Sequence, residues 1–429
     1  MNRIIIIGNG FDLAHGLNTR YEDFINWYWD KRIDAFAGNL TKISEDYLCR
    51  LRINDGVGFS CWNVFAFESS YFKDFRGNRK YSGYNIIKEM QNNTKTFSID
   101  FTPFFRTILQ SIETKGWVDI EHEYYQLLKL SITEPNKFGI TPKALNEQLE
   151  YIRILLAEYL LSLDCSSVQP NSDICKCIYE CIKPNDISIS SMQYYDDYCA
   201  ELTDMEKEDF QSFMRQYDIK SVTFSEIQEI NQKHIHERPN RIKYNDKEKG
   251  ILELITKPKN VLLLSFNYTP LVSMYNKKDI GDSNYIHGEL SNPGSIIFGY
   301  GDELDDDYRN ILQSGNNEFL TNIKSIKYLE TTKYREMLAF IESSPYQVYI
   351  MGHSCGNSDR TLLNTLFEHK NCVSIKPFYY KKEDGTDNYI EIVQNISRNF
   401  GDMKLMRDRV VNKAYCVPLS QANSDSNKS

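Results

Sequence analysis

Arg3-Ile4-Ile5-Ile6-Ile7-Gly8-Asn9-Gly10-Phe11-Asp12-Leu13-Ala14-His15-Gly16-Leu17 is the stretch whose reading decides the fold. A run of β-branched residues that stops at a glycine has the pattern of a strand buried on both faces, and such strands belong to parallel sheets covered by helices. Gly8 and Gly10 permit a tight turn and a close approach of backbone to a diphosphate. The helix that follows offers unpaired N–H groups at its positive dipole end. The dehydrogenase spacing G-x-G-x-x-G needs glycine at position 13, which is Leu13, so that pattern fails. Asp12, beside the turn, either accepts from ribose hydroxyls or caps the helix.

Further short apolar runs ending in glycine or polar turns lie at 260–264, 285–287, 296–300, 347–351 and 372–380. Between the first strand and these runs the spacing turns helical, notably at 117–130, 144–163 and 205–217. The expected fold is therefore α/β: a Rossmann-like, mostly parallel sheet with a long, mainly helical insertion after the first strand. The boundaries read as 1–30 for the first strand and glycine turn, 31–255 for the insertion, 256–415 for the rest of the core, and 416–429 as a disordered tail.

Composition limits the function. The chain has 429 residues, 41% hydrophobic and 25% charged, with 29 Tyr and 23 Phe, so it can bury a sizeable core in one large or two smaller domains. A net charge of -9 argues against a nucleic-acid partner, which needs Lys and Arg on phosphates. The most basic short run, Lys73, Arg76, Arg79 and Lys80, reads as a solvated face. No apolar run reaches the roughly 20 residues that span a bilayer, and Met1-Asn2-Arg3 leads straight into the strand, so a cytoplasmic protein without a membrane partner is expected. The ten cysteines read as free thiols. Cys175, Cys177 and Cys181, with His234 and His236 downstream, give a faint zinc signal with the wrong histidine spacing.

Four runs end in clusters that carry chemistry. After the first comes the glycine turn; after 260–264 comes Ser265-Phe266-Asn267-Tyr268-Thr269; the run 285–287 ends in Ile286-His287-Gly288-Glu289; and after 347–351 comes Gly352-His353-Ser354-Cys355-Gly356-Asn357-Ser358-Asp359. Open α/β sheets place their ligands at the carboxyl ends of strands. Taken singly, Asn267 is also a turn residue, His287 a hydrogen-bonded core histidine, and 352–356 a tight connection into a helix.

In order, these motifs resemble the bacterial abortive-infection AbiH family, itself similar to the wider sirtuin-like NAD-binding group. The resemblance covers 1–25 and about 260–360, and Trp117-Val118-Asp119-Ile120-Glu121 also looks like a feature of that family, with Glu121 facing the crevice. It implies an NAD⁺ hydrolase of antiphage defence, cutting the nicotinamide–ribose bond without a metal. Asn267 would hold a ribose hydroxyl or position water, and His287 would be the general base. Gly8, Asn9, Gly10, Phe11, Asp12 and, less centrally, His15 would line the diphosphate side. Gly352, His353 and Ser354 would receive the adenosine half, with Asp359 orienting their loop or a hydroxyl. The sequence departs from the group at Asn9, at Asp12 where serine is common, at Asn18, and at Thr269 where aspartate is usual. It has no four-cysteine zinc ribbon, which disfavours a protein deacylase.

Two rival readings use the same residues. A sensor module would bind a nucleotide such as ADP-ribose without needing Asn267 and His287 together. A serine esterase would use Ser354 in G-x-S-x-G, with His369 as the histidine and Asp359 or Glu368 as the acid, although neither is well spaced for it. The insertion could house a regulatory or homo-oligomerising surface.

Overall fold

The computed structural model describes residues 1–38, 43–54, 82–115, 119–134, 139–237 and 244–421. The basic run 73–80, Cys61, Trp117, Val118 and the residues from 422 onward lie outside the described residues. The chain divides into two compact units: Met1–Leu17, Cys165–Glu289 and Tyr328–Ser429 form one, Asn18–Asp164 and Leu290–Lys327 the other. These boundaries differ from those read in the sequence. Residues 165–255 join the strand-bearing unit, and 290–327 return to the helical one.

In the first unit, β1 (Asn2–Ile7) is central to a sheet with β5 (Val261–Ser265), β6 (Gly281–Tyr285), β7 (Tyr346–Met351) and β8 (Cys372–Phe378). All neighbouring pairs are parallel, and the spatial order is β6-β5-β1-β7-β8. Numbered by their place in the sequence, these strands run third, second, first, fourth, fifth, so the order reverses between β1 and β7. Register is set by Arg3 opposite Val261 on one side and Gln347 on the other. Ile5 and Ile7 pack with Val261, Leu263, Tyr349, Met351 and the Phe11 ring in one core. Strand alternation turns Ile4 and Ile6 to the other face, where they are equally buried, and this two-sided burial is why Ile4 to Ile7 carries no polar position. Arg3 is fully buried, its guanidinium donating to the carbonyls of Ile178 and Glu180 and to Gln347 Oε1 while lying 4.2 Å over the Tyr349 ring.

Three sequence expectations are corrected in the sheet-bearing unit and its helical neighbour. The strand expected at 285–287 runs earlier, as Gly281–Tyr285, so His287 stands beyond its end. The run 296–300 is not a strand; Ile296, Ile297 and Phe298 are buried, and only Tyr300 forms an isolated bridge, with Ile323. A short apolar run buried by packing has the same pattern as one buried by pairing. Residues 416–421, read as part of a tail, are held down: Leu419 N–H donates to Tyr379 O at 2.8 Å, and Cys416 and Leu419 are buried.

The second unit is helical as expected, with Tyr21–Gly38, Pro103–Lys115, Ile120–Thr133 and Pro142–Leu161 as its longest helices. It also holds a small antiparallel sheet, β2 (Ile43–Glu45), β3 (Cys49–Ile53) and β4 (Phe97–Phe101), which the sequence reading missed although Cys49-Arg50-Leu51-Arg52-Ile53 alternates buried and exposed. Glu121, expected to face the crevice, is buried and bonded within this unit. Its Oε2 lies 2.9 Å from the Lys324 ammonium and its Oε1 accepts from Gly299 N–H at 2.9 Å, both inside this unit. Among the described residues, no helix is long and apolar enough to cross a membrane.

Candidate active site

Four parallel strands deliver their following residues to one edge of the sheet, on both sides of the reversal between β1 and β7. Gly8 and Gly352 are glycines because these two strand-end turns touch. A Cβ on Gly8 would fall 2.5 Å from His353 Cα, and one on Gly352, at φ 76°, would fall on the Phe11 backbone nitrogen. Two of the turn amides are used in the same contact, Gly8 N–H donating to Met351 O and Gly10 N–H to Gly352 O, while Phe11 N–H closes its own turn on Gly8 O. The Gly8 and Gly10 N–H groups therefore join the two strand ends and the Phe11 N–H closes a turn, a different use from the diphosphate cradle expected of them. Asn9 has an exposed side chain, whereas the Phe11 ring lies wholly in the core.

His15 is also a core residue. Nδ1 meets the Phe11 carbonyl at 2.7 Å and Nε2 the Tyr275 hydroxyl at 2.5 Å, and burial pulls the imidazole pKa down. A carbonyl only accepts, so Nδ1 carries the proton and Nε2 accepts from Tyr275. Both nitrogens are thereby committed, and the expected place of His15 on the nucleotide side is not where the ring lies.

Asp12 neither caps the helix Asn9–Ala14, whose cap is Gly8, nor points outward. It is 2% exposed; Asn267 Nδ2 donates to Oδ1 at 2.8 Å and Thr269 Oγ1 to Oδ2 at 2.7 Å. Burial raises its pKa to about 6, against the lowering effect of those two bonds. The departures at 12 and 269 are thus linked: a carboxylate and a hydroxyl meet here, with the carboxylate supplied from the first helix instead of from after β5. Asn267 Nδ2 also donates to Gly8 O at 3.0 Å. Its amide oxygen Oδ1 has no hydrogen-bond partner among the described residues, and Asn267 is only half-buried.

Across from this group, His287 and His353 share one carboxylate. His287 Nε2 lies 3.3 Å from Asp359 Oδ1, and His353 Nε2 lies 3.5 Å from Asp359 Oδ2. Tyr328 sets its hydroxyl 3.1 Å from His287 Nε2, its ring parallel to the imidazole and to Tyr334. Phe266 packs against both imidazoles, with centroid separations of 5.0 and 4.3 Å. A carboxylate beside Nε2 holds the proton there and puts the basic lone pair on Nδ1, the arrangement of a general base oriented by an acid. His353 was expected on the adenosine and instead backs Asp359. Ser354 is exposed.

The serine esterase is not assembled. His369 Nε2 lies 3.1 Å from Glu342, Glu368 accepts from the N–H groups of Gly401 and Asp402, and Asp359 serves the two other histidines. For the faint zinc signal, His234 Nδ1 meets the Tyr244 hydroxyl at 2.7 Å, and no cluster of three or more His, Cys, Asp or Glu among the described residues is placed to hold a metal ion.

Sequence reasoning pointed to Asn267, His287 and Asp359 through their shared position after strands, two of which, His287 and Asp359, the structure brings together. It missed Tyr328, 41 residues beyond His287 in a stretch without a motif. It quoted Phe266 and Thr269 without seeing what they touch, though their place in the cluster after β5 was a usable signal. No curated protein and no solved structure matches the chain. The family model described as bacteriophage abortive infection AbiH matches residues 4–380, nearly the whole chain, a span that includes Asp12, Asn267, Thr269, His287, Tyr328, His353 and Asp359. The chain belongs to the AbiH family of bacteriophage abortive-infection proteins.

Proposed function

We propose that this protein is a sirtuin-like NAD⁺ hydrolase of antiphage defence, cutting the bond between nicotinamide and ribose. The observation that carries the reading is the delivery of a carboxylate-backed histidine, His287 with Asp359, and an unpartnered amide oxygen, on Asn267, by the adjacent parallel strands β6 and β5. Both stand at carboxyl ends beside a reversal of strand order, and the order itself matches the first five strands of a doubly wound dinucleotide-binding sheet.

In the reaction the glycosidic bond breaks with its electron pair going to the nicotinamide nitrogen, through an oxocarbenium-like ribose. Water adds to the anomeric carbon, and its proton passes to His287. Asn267 Oδ1 holds a ribose hydroxyl, while Asp12 and Thr269 keep Asn267 in place and do not touch substrate. The scheme needs no metal. With the turn amides engaged, Asn9 and Ser354 are the exposed polar side chains we assign to the nucleotide's far end.

Purified protein, alone and with extract of phage-infected cells, is incubated with NAD⁺ and nicotinamide is measured. Release that falls about 100-fold or more in His287→Ala and about 10-fold or more in Asn267→Ala supports the reading. Binding of ADP-ribose with no release under any of these conditions favours the sensor module. An enzyme that destroys a central metabolite must be restrained, and we place that regulatory or oligomerising surface on the helical unit. Full activity from an unchanged monomer, read by mass with and without the extract, would overturn that placement.

A further inference from the structure

Among the described residues, Cys355 is the one buried non-glycine residue whose backbone lies in the left-handed region, at φ 56°. The other two, Asp218 and Asp279, are exposed aspartates, a residue type that tolerates this conformation in turns. Cysteine has no such preference, so its surroundings must hold it. Asn399 Nδ2 donates to the Cys355 carbonyl at 2.9 Å, and Asn395 Nδ2 to the Ser354 carbonyl at 2.8 Å, both from the helix Tyr389–Arg398 and its C-terminal cap.

The bent turn aims the Cys355 N–H at His353 Nδ1, 2.9 Å away. A ring nitrogen that accepts from an amide carries no proton, so the neutral His353 ring has its proton on Nε2. That atom faces Asp359 Oδ2, and the opposite oxygen of the same carboxylate faces His287 Nε2. Gly8 clears the space in which His353 sits.

We infer that His353 is a positioning residue: it directs its Nε2 proton at Asp359, so that this carboxylate holds the proton of His287 on Nε2 and keeps the basic lone pair on Nδ1. The inference rests on the reading of His287 as the base. It gives His353 a place behind the site instead of on the nucleotide, and it gives the backbone of Cys355 a purpose, the choice of the His353 tautomer.

Long-range proton–nitrogen correlation spectra of the histidine rings in the full chain report which nitrogen is protonated. In the wild type, His353 and His287 are both expected as Nε2–H. In His353→Phe, His287 is expected to become a mixture of tautomers, whereas His353→Gln, which keeps an N–H donor, retains the single form. A merely structural role for His353 would not move that signature. With NAD⁺, kcat is expected to fall about 10-fold in His353→Phe with KM within about two-fold, and to recover in His353→Gln. A wild-type His353 protonated on Nδ1, or a folded His353→Phe in which His287 stays wholly Nε2–H, overturns the inference. Should His353→Phe not fold, the wild-type and His353→Gln spectra decide it: Nδ1–H on His353 in the first, or mixed His287 tautomers in the second, count against it. A wild type with the expected tautomers and no cleavage of NAD⁺ sinks the hydrolase reading and leaves this one standing.

Discussion

Asp12 illustrates how one side chain ties the site to stability. Its carboxyl is buried with two neutral donors and no cation, and its pKa is raised from 3.8 to about 6. The folded state therefore binds this proton more tightly than the unfolded one, and the stability it contributes is present below pH 3.8 and lost as pH rises through about 6. Relative to Asp12→Asn, whose amide can still serve both partners, the wild type should lose about 2 kcal/mol between pH 4 and 7. Urea unfolding of both proteins across that range checks this; a constant difference contradicts it. Removing the donor by Thr269→Val should cost about 2 kcal/mol at neutral pH by the same assay, because Oδ2 is left buried without a hydrogen bond. At this scale the sequence was half legible. Position after a strand pointed to Asn267, His287 and Asp359. Whether Asp12, His15 and His353 face substrate or protein depends on the exit direction of a turn, and residue type does not encode that.

Among the elements, β1 was legible almost to the residue because both faces are buried and Gly8 ends it. The edge strand β6, Gly281-Asp282-Ser283-Asn284-Tyr285, was misplaced because one open side lets polar residues into the strand. The junction of β1 and β7 is where substitution should cost most for the fewest atoms added. Gly352→Ala combines a left-handed backbone with a clash against the Phe11 nitrogen, and a loss of about 2 kcal/mol or more is expected. Gly16→Ala, also at positive φ but with open space around its Cβ, isolates the backbone part. Equal losses in thermal unfolding of the two variants would show that the turns do not press on each other.

For the molecule as a whole, the chain passes back and forth between two units, which no periodicity announced; only the tertiary partners of 290–327 place it with the helices. Glu121 and Lys324 hold that return segment, with side-chain exposures of 11% and 0%. Glu121→Gln takes the carboxylate charge away from the buried Lys324 ammonium, and a loss of about 3 kcal/mol is expected, read as faster amide exchange in the helix Ile120–Thr133. Unchanged exchange there would mean the pair is not what holds the segment. The central claim concerns the other unit, and a single-turnover assay tests it most directly: NAD⁺ with excess protein, activated by infected-cell extract if required, and nicotinamide followed against time for the wild type and His287→Ala. Stoichiometric release by the wild type, slowed at least about 100-fold by the substitution, is the expected result. NAD⁺ bound but uncut by the wild type, or release at the same rate from a folded His287→Ala, would contradict it.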